Sequence, residues 1–400
     1  MHDDIPFALP FIGSEEEAAV IRVLRSGWLT TGGEALAFEK EFAAFLHSPH
    51  ALAVNSATSG LHLALEACGV GPGDAVLVPS CTFTATAEVA RYLGADPVFV
   101  DVAPGTFHID PAALEQTLKR LPPNKARAVI PVHYGGVSCD MAAIMDIARR
   151  YGLKVIEDAA HAFPSLIPPP SPPLTPQFAG TIGDVGVFSF YATKTITAGE
   201  GGMIACRDEA MAQRISVMRS HGIDRTVWNR YSDTRASWYY EVVEAGYKYN
   251  LPDLLAAIGR VQLSRAWDLL RMREAIAAAY DAAFSANDCL LIPPTGHGDA
   301  RHLYPLRLNP RRLRIGRDEF INKLKEAGIG VSVHFIPLHT MPYYQNRYRL
   351  AENDLPETIK SCYNEISLPI WPGMSTAQTN RVIEAVQSIT HNYTISIASP

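Results

Sequence analysis

Long apolar runs are missing from this sequence. None approaches the ~18 consecutive apolar residues that a membrane-spanning helix needs, and even the alanine-rich stretch at 275–283 is interrupted by Asp281. A secretory pattern is missing too, because Asp3 and Asp4 stand where Lys or Arg would be expected, and no apolar segment follows them. We therefore expect a cytoplasmic protein with no membrane partner.

An excess of basic charge is also lacking. The chain has 35 Lys and Arg residues against 41 Asp and Glu residues, which gives a net charge of -6. Binding to a phosphate backbone needs a basic stripe, so we do not expect nucleic acid as a partner. The six cysteines occur singly, without CxxC or metal-finger spacing, which predicts reduced thiols and no metal site. They are Cys68, Cys81, Cys139, Cys206, Cys289 and Cys362.

The 400 residues present are 48% hydrophobic and 19% charged, an ordinary globular composition with room for two or three domains. From about residue 59 to residue 206, helix-like and strand-like segments alternate, which is typical of helices wrapped around a mostly parallel sheet. The continuous apolar character of 128–130 and 155–156 fits strands that are buried on both faces. This region predicts an α/β fold.

The last part of the chain follows a different pattern. After Pro252 a long helical pattern runs to about Phe284. Beyond it, strands near 301–308 and 330–334 surround a helix at 317–327, as in a smaller α+β unit. We predict a large domain at 1–285 and a small carboxyl-terminal domain at 286–400.

One segment interrupts the alternation. Seven prolines lie between Pro164 and Pro176, a density that disfavours helix and sheet and favours extended polyproline II. A semi-rigid surface loop is the first interpretation. The stretch at 164–176 also fits an active-site rim, or a docking motif for a partner domain.

Polar residues that directly follow strands are the candidates for chemistry, because ligands of open α/β sheets bind at the carboxyl ends of the strands. Asp158 and His161 follow one predicted strand, and Lys194 follows the next. A lysine can form a Schiff base, and an aspartate can hold a pyridine nitrogen protonated. Taken singly, such an Asp is more often a helix cap and such a Lys a solvated surface residue. The small residues at 55–60 precede an apolar helix and fit either an anion site or ordinary capping.

Taken together, these motifs and several others resemble the pyridoxal-phosphate-dependent sugar aminotransferases of the DegT/StrS type, which have the aspartate-aminotransferase fold. The resemblance covers nearly the whole chain, with the motifs in one order. They lie at 27–32, 55–60, 131–136, 156–162, 188–194, 199–202 and 246–250.

The resemblance implies a transferase of fold type I, with a mostly parallel seven-stranded sheet in the large domain and pyridoxal 5'-phosphate (PLP) as cofactor. Lys194 would form the internal aldimine and shuttle the proton, and Asp158 would pair with the pyridine nitrogen. The other residues that the resemblance places at the cofactor are Ala57, Thr58 and Ser189 for the phosphate, Phe83 on the ring face, His161 near the ring hydroxyl, and Asn250 reaching the phosphate from a partner subunit.

The same resemblance implies the reaction. An amino acid, taken to be glutamate, would give its amino group to a keto carbon of a nucleotide-linked sugar, in a homodimer with shared active sites. Thr30, Lys248 and His334 would contact the substrate, although packing or turn formation explains His334 about as well. The motif at 246–250 is closer to enzymes acting on C4, such as those forming UDP-4-amino-4-deoxy-L-arabinose, than to those acting on C3. Two further alternatives are a non-catalytic PLP-binding sensor and a scaffold that uses the proline-rich stretch.

Overall fold

The computed structural model describes residues 4–167, 176–224, 239–294 and 298–395. The amino-terminal part consists of helices that flank one large sheet. Its helices are α1 (Ser14–Ser26), α2 (Gly33–Leu46), α3 (Ala57–Ala67), α4 (Ala85–Tyr92), α5 (Pro111–Arg120), α6 (Met141–Tyr151), α7 (Glu209–Met218), α8 (Asp253–Ser264) and α9 (Ala266–Phe284). Its strands are β1 (His50–Val54), β2 (Ala75–Pro79), β3 (Asp96–Val100), β4 (Ala126–Val129), β5 (Lys154–Asp158), β6 (Leu166–Ile167), β7 (Gln177–Phe178), β8 (Val185–Ser189) and β9 (Gly202–Cys206).

The large sheet has seven strands in the order β1-β9-β8-β5-β4-β2-β3. Strand β9 runs antiparallel to both of its neighbours, while β8, β5, β4, β2 and β3 pair in parallel. The central strands are buried along their whole length, for example Val185–Ser189, because helices cover both faces. The predicted α/β class with a mostly parallel seven-stranded sheet is confirmed.

The carboxyl-terminal part is built around a three-stranded antiparallel sheet, in the order β10-β11-β12. Its apolar core also takes in Ile5 from the amino-terminal segment. The proposed boundary at residue 285 falls directly after α9. The elements are β10 (Leu290–Leu291), β11 (Tyr304–Leu308), α10 (Arg317–Glu326), α11 (Pro342–Tyr348), α12 (Pro356–Cys362), β12 (Glu365–Leu368) and α13 (Thr376–Tyr393).

Three local predictions are wrong. The single helix after Pro252 is two helices that meet at Arg265, whose guanidinium contacts the buried Glu16 at 3.1 Å. The segment at 330–334 is not a strand but makes a single bridge between Ser332 and Ser367. In the proline-rich stretch, β6 pairs with β7 because its two residues lie between the prolines and keep their amide hydrogens. No helix in the described ranges is long and apolar enough to cross a membrane.

Candidate active site

A cleft of about 430 Å³ lies at one edge of the large sheet. Strands β1, β2, β5 and β8 all end at this edge because they run in the same direction, and the antiparallel β9 begins there. The topology therefore brings together residues that are far apart in the sequence. The cleft is lined by Ser56, Ala57, Thr58, Leu61, Thr82, Phe83, Ala85, Thr86, Val132, Asp158, Ala160, His161, Ser189, Tyr191, Thr193, Lys194, Glu200, Gly201, His302, His334 and Phe335.

Lys194 lies in the turn that follows β8, and its backbone N–H donates to the carbonyl of Tyr191 at 2.9 Å. Burial lowers the pKa of the Lys194 amine to about 8, although the negative charge of Asp158 opposes the shift. The guanidinium of Arg273 lowers this pKa further. With a pKa of about 8, roughly a tenth of the amine is uncharged at pH 7 and more at higher pH, and the uncharged form is the one that acts as a nucleophile or a base.

Asp158 is the last residue of β5, and only 5% of its surface is exposed. Its Oδ2 accepts a hydrogen bond from the Thr86 hydroxyl at 2.8 Å, and its Oδ1 accepts one from the Ala160 N–H at 3.1 Å. The Thr82 hydroxyl lies 2.8 Å from that of Thr86. Burial raises the pKa of the Asp158 carboxyl, whereas these hydrogen bonds and the charge of Lys194 lower it. A positive charge placed in the cleft next to Asp158 would stabilise the ionised form of this carboxyl group.

The amino terminus of α3 points into the cleft. Ala57 and Thr58 form its first turn, which is capped by the Ser56 side chain. Helix α3 can pack this closely against β8 because residue 60 is Gly: a Cβ there would lie 2.7 Å from the Val187 side chain. The free amide groups of a helix amino terminus favour an anion such as a phosphate, and the Ser189 side chain lies beside them in the cleft.

Three histidines lie around the cleft. Burial lowers the pKa values of His161 and His302 to well below the usual range, and that of His334 to about 4, and the charge of Lys194 adds to each effect. All three imidazoles are therefore neutral at physiological pH. The Nδ1 atom of His161 accepts from the Gly135 N–H at 3.3 Å, so Nε2 carries its hydrogen and can donate.

Two aromatic side chains form the mouth of the cleft. Phe83 is 59% exposed, and its ring lies 6.1 Å from that of Phe335 between centroids. An exposed phenyl ring directly beside buried polar groups is suited to stacking on a planar ligand.

Three of the predicted site residues lie elsewhere. Thr30 and Lys248 are exposed, and neither they nor Asn250 line the cleft of this chain. The Asn250 side-chain amide donates to the Thr31 hydroxyl at 2.6 Å. The other predicted residues, Ala57, Thr58, Phe83, Asp158, His161, Ser189, Lys194 and His334, all line the cleft.

The proline-rich stretch lies outside this cleft as far as the structure describes it. Ile167 and Pro176 line a different hollow, of about 970 Å³, beside α6. Residues 168–175, which carry most of the prolines, are outside the described residues. None of the described part of 164–176 forms the cleft rim that the sequence suggested as one alternative.

Several residues that shape the site were not predicted from the sequence. His302 lines the cleft, and its Nδ1 is buried with no hydrogen-bond partner within the described ranges. Glu157, next to Asp158, accepts from His133 Nε2 at 2.8 Å and from three backbone amides at 180–183. Arg273 is buried and donates to the carbonyls of Thr193, His302 and Ile370. Of these residues, only Arg273 could have been recognised from the sequence, because it is a charged residue within the apolar face of a helix.

Residues 10–387 match the sequence model of the DegT/DnrJ/EryC1/StrS aminotransferase family. The chain belongs to this family. The DegT/StrS family predicted from the sequence is thereby confirmed, and so is its PLP-dependent aminotransferase chemistry.

Individual relatives cover almost the whole chain. The spore coat polysaccharide biosynthesis protein SpsC of Bacillus subtilis is 46% identical over 389 residues, which are 96% of this chain and 97% of SpsC. Among solved structures, the PMP form of Spr1654 from Streptococcus pneumoniae, described as a sugar aminotransferase, has a TM-score of 0.88 at 30% identity and covers 97% of this chain and 100% of its own. Helicobacter pylori PseC, an aminotransferase involved in the biosynthesis of pseudoaminic acid, has a TM-score of 0.87 at 27% identity, with 98% and 100% covered.

The described side chains of this DegT/StrS protein fit PLP. The amine of Lys194 matches the aldehyde of PLP, and the buried carboxylate of Asp158 matches its pyridine nitrogen. The amino terminus of α3 matches the phosphate, and the exposed ring of Phe83 matches the face of the pyridine ring. The unpartnered Nδ1 of His302 shows that this wall has spare hydrogen-bonding capacity. Among the residues described, no group of three or more His, Cys, Asp or Glu side chains could hold a metal ion.

Proposed function

We propose that this DegT/StrS enzyme transfers an amino group from an amino acid, glutamate, to keto carbon C4 of a nucleotide-linked sugar. The observation that carries the proposal is the presence of Lys194, with a pKa lowered to about 8, in one cleft with the buried Asp158 and the amino terminus of α3. These groups lie at the ends of three parallel strands, so their positions are fixed by the sheet.

Six residues would hold the cofactor. Asp158 would pair with the pyridine nitrogen, held in place by Thr86 and the Ala160 amide. The phosphate would bind the amides of Ala57 and Thr58 and the Ser189 hydroxyl. The ring face would stack on Phe83, and the Nε2–H of His161 would donate to the ring hydroxyl. Bound PLP supplies an electron sink that stabilises negative charge at the substrate carbon.

Lys194 would carry out the proton transfers. Its amine removes the proton from the amino-bearing carbon of the donor, and in the second half of the reaction returns a proton to the sugar carbon. A lysine with an ordinary pKa is almost fully protonated at neutral pH and would be a poor base. The lowered pKa, caused by burial and by Arg273, brings the amine into the working range.

SpsC supports a sugar acceptor, since it is described as a polysaccharide biosynthesis protein. The choice of C4 rests on the motif at 246–250, with C3 amination as the alternative. Protein loaded with pyridoxamine phosphate should aminate a 4-keto nucleotide sugar, and NMR of the product should locate nitrogen on C4. A parallel incubation with the 3-keto isomer is the control, and amination of that isomer alone would reverse the assignment.

We further propose that Thr30, Lys248 and Asn250 complete the active site of a second copy of the chain. The support is that Asn250 lies outside the cleft of its own chain, while the backbone around it pairs with the segment that leads into α3. The Asn55 N–H donates to the Tyr249 carbonyl at 2.8 Å. The asparagine is therefore partly buried beside the segment that leads into α3, but it does not line the cleft of its own chain.

Subunit mixing tests this shared site. Lys194→Ala and Asn250→Ala homodimers should each be nearly inactive. When the two variants are refolded together, half of the dimers should be hybrids. In a hybrid, one site carries both defects and the other carries none, so about a quarter of wild-type activity should return. Mixing Lys194→Ala with Lys194→Arg is the matched control and should restore nothing. Equal activities in both mixtures would show that each chain forms its own site.

A further inference from the structure

Behind His334, on the side away from the cleft, two buried polar side chains have no role in the steps above. The Nδ1 atom of His334 lies 2.8 Å from the Ser367 hydroxyl, which in turn lies 2.5 Å from Oε1 of Glu365. Glu365 and Ser367 are both fully buried. We call these three residues the Glu365–Ser367–His334 row.

Further hydrogen bonds hold Glu365 and Ser367 in place. The second carboxylate oxygen of Glu365, Oε2, accepts from the backbone N–H of His334 at 2.8 Å, which closes a ring of hydrogen bonds. Ser367 lies in β12 and exchanges two backbone hydrogen bonds with Ser332, at 3.2 and 2.9 Å. With Nδ1 turned to Ser367, the Nε2 atom is the imidazole nitrogen left for a ligand in the cleft.

We propose that the Glu365–Ser367–His334 row is a proton path, in which Glu365 and Ser367 set which nitrogen of His334 carries the hydrogen and deliver a proton through it to an oxygen of the bound substrate. This inference rests on the proposed amino transfer, because a keto oxygen must leave as water when nitrogen replaces it. His334 is the member that touches substrate, and Glu365 and Ser367 are positioning residues behind it.

The transfer moves three protons by one place each. The Nε2–H bond of His334 breaks as its proton goes to the substrate oxygen, and Nδ1 takes the hydroxyl proton of Ser367. The Ser367 oxygen takes the carboxyl proton of Glu365. The net change is one O–H bond broken at Glu365 and one formed on the substrate, and the imidazole is neutral before and after. The reverse shifts restore the carboxyl proton from a water or hydroxyl in the cleft.

The electrostatics of the row agree with this direction. Burial raises the pKa of Glu365 to about 8, against the effects of the Ser367 and His334 hydrogen bonds and of the Arg317 charge, so the carboxyl carries its proton at neutral pH. Burial and Lys194 lower the pKa of His334 to about 4, which disfavours an imidazolium. The titratable and charged groups that face Glu365 from the neighbouring elements are Tyr134, Arg307, Arg317, His334 and Cys362.

The two states of Glu365 impose different hydrogen positions on His334. A protonated carboxyl donates to Ser367, whose hydroxyl then donates to Nδ1, so Nε2 carries the hydrogen and is a donor. An ionised carboxylate accepts from Ser367, whose oxygen then accepts from Nδ1–H, so Nε2 is an acceptor. A glutamine at position 365 donates to Ser367 at every pH and fixes the first state.

Nitrogen NMR of the cofactor-free full chain tests this without any turnover. The His334 signal, assigned by its loss in His334→Gln, should report Nε2–H below and Nδ1–H above about pH 8 while the ring stays neutral. Glu365→Gln should keep Nε2–H throughout, and Ser367→Ala should remove the pH dependence. Glu352→Gln, an exposed carboxylate variant, should behave as wild type. A wild-type tautomer that does not change with pH, or a Glu365→Gln variant that still titrates, would overturn the proton path.

Kinetics give the second readout. Glu365→Gln should lower kcat with the keto sugar by roughly 10- to 100-fold, with KM changed far less, because the lost proton transfer is a general-acid contribution. The fall in the wild-type rate above about pH 8 should disappear in this variant. An unchanged kcat would contradict the proposal. A wild-type enzyme that aminates no keto sugar would overturn the proposed function instead, and the NMR titration would still decide whether the row conducts a proton.

Discussion

Replacing Lys194 with alanine is expected to lower kcat for amino transfer by roughly 10⁴-fold, the upper range for loss of a general acid–base group. The alanine variant loses both the nucleophile that bonds to the cofactor aldehyde and the base that moves the proton. No other lysine is among the described residues that line the cleft, and the three histidines there are weak bases because their pKa values are strongly lowered. Stopped-flow absorbance with glutamate should show no conversion of bound cofactor to its amine form on the wild-type timescale.

The pH dependence checks the same assignment. Because the pKa of Lys194 is lowered to about 8, the unprotonated amine increases as the pH rises, and the rate of the glutamate half-reaction should rise to a plateau above that value. Lys119→Ala removes a lysine at an exposed helix position, where it pairs with Glu115 at 3.5 Å, and should leave the profile unchanged. If Lys194→Ala retained the wild-type rate, the proposed mechanism would be lost.

Replacing Asp158 with asparagine is expected to lower kcat by about 100-fold or more, similar to the loss of one preorganised electrostatic contact at a reacting centre. A neutral amide cannot hold the pyridine nitrogen protonated, so the cofactor becomes a weaker electron sink. The side chains differ little in shape, and the contacts from Thr86 and Ala160 locate the residue in either form. The effect should therefore appear mainly in kcat, with cofactor affinity, measured by equilibrium dialysis, reduced less.

Thr86→Val is the matched comparison for Asp158→Asn. Valine keeps the shape of threonine but removes the hydroxyl that donates to Asp158 at 2.8 Å. We expect roughly a tenfold loss of kcat, which corresponds to about 1.4 kcal/mol, close to the lower end of what one hydrogen bond to a charged group contributes. An Asp158→Asn enzyme as active as Thr86→Val would mean that the carboxylate charge contributes nothing beyond its hydrogen bonds.

The large sheet could be predicted from sequence because its central strands are buried on both faces and read as short apolar runs between helical patterns. The alternating region was predicted to run to residue 206, and β9 (Gly202–Cys206) ends there. The break at Arg265 could not be predicted, since the helical periodicity continues through it and Arg265 contacts Glu16, about 250 positions away along the chain. Strand β12 was missed because its four residues become a strand only by pairing with β11.

The candidate site also has residues that the sequence predicted and residues that it did not. Lys194 and Asp158 were candidates because each lies at or after the end of a predicted strand, and parallel strands end at one edge of the sheet. Their roles came from the resemblance to the DegT/StrS family. Thr86 lies inside a helix, and its side chain reaches Asp158 only through the packing of α4 against the sheet. Glu365 and His302 come from the carboxyl-terminal part, whose position over the cleft no local pattern encodes.

Arg273 links the backbone beside Lys194 to the carboxyl-terminal part of the chain. Its guanidinium donates to the carbonyl of Thr193, directly before Lys194, and to the carbonyls of His302 and Ile370 in the carboxyl-terminal part. A buried cation that donates to three carbonyl groups holds these segments together rigidly, because breaking any of these hydrogen bonds leaves polar groups without partners in an apolar surrounding. The backbone directly before Lys194 and the segment that carries His302 are therefore held at fixed positions relative to one another. A displacement of the segment that carries His302 would therefore be transmitted through Arg273 to the backbone beside Lys194.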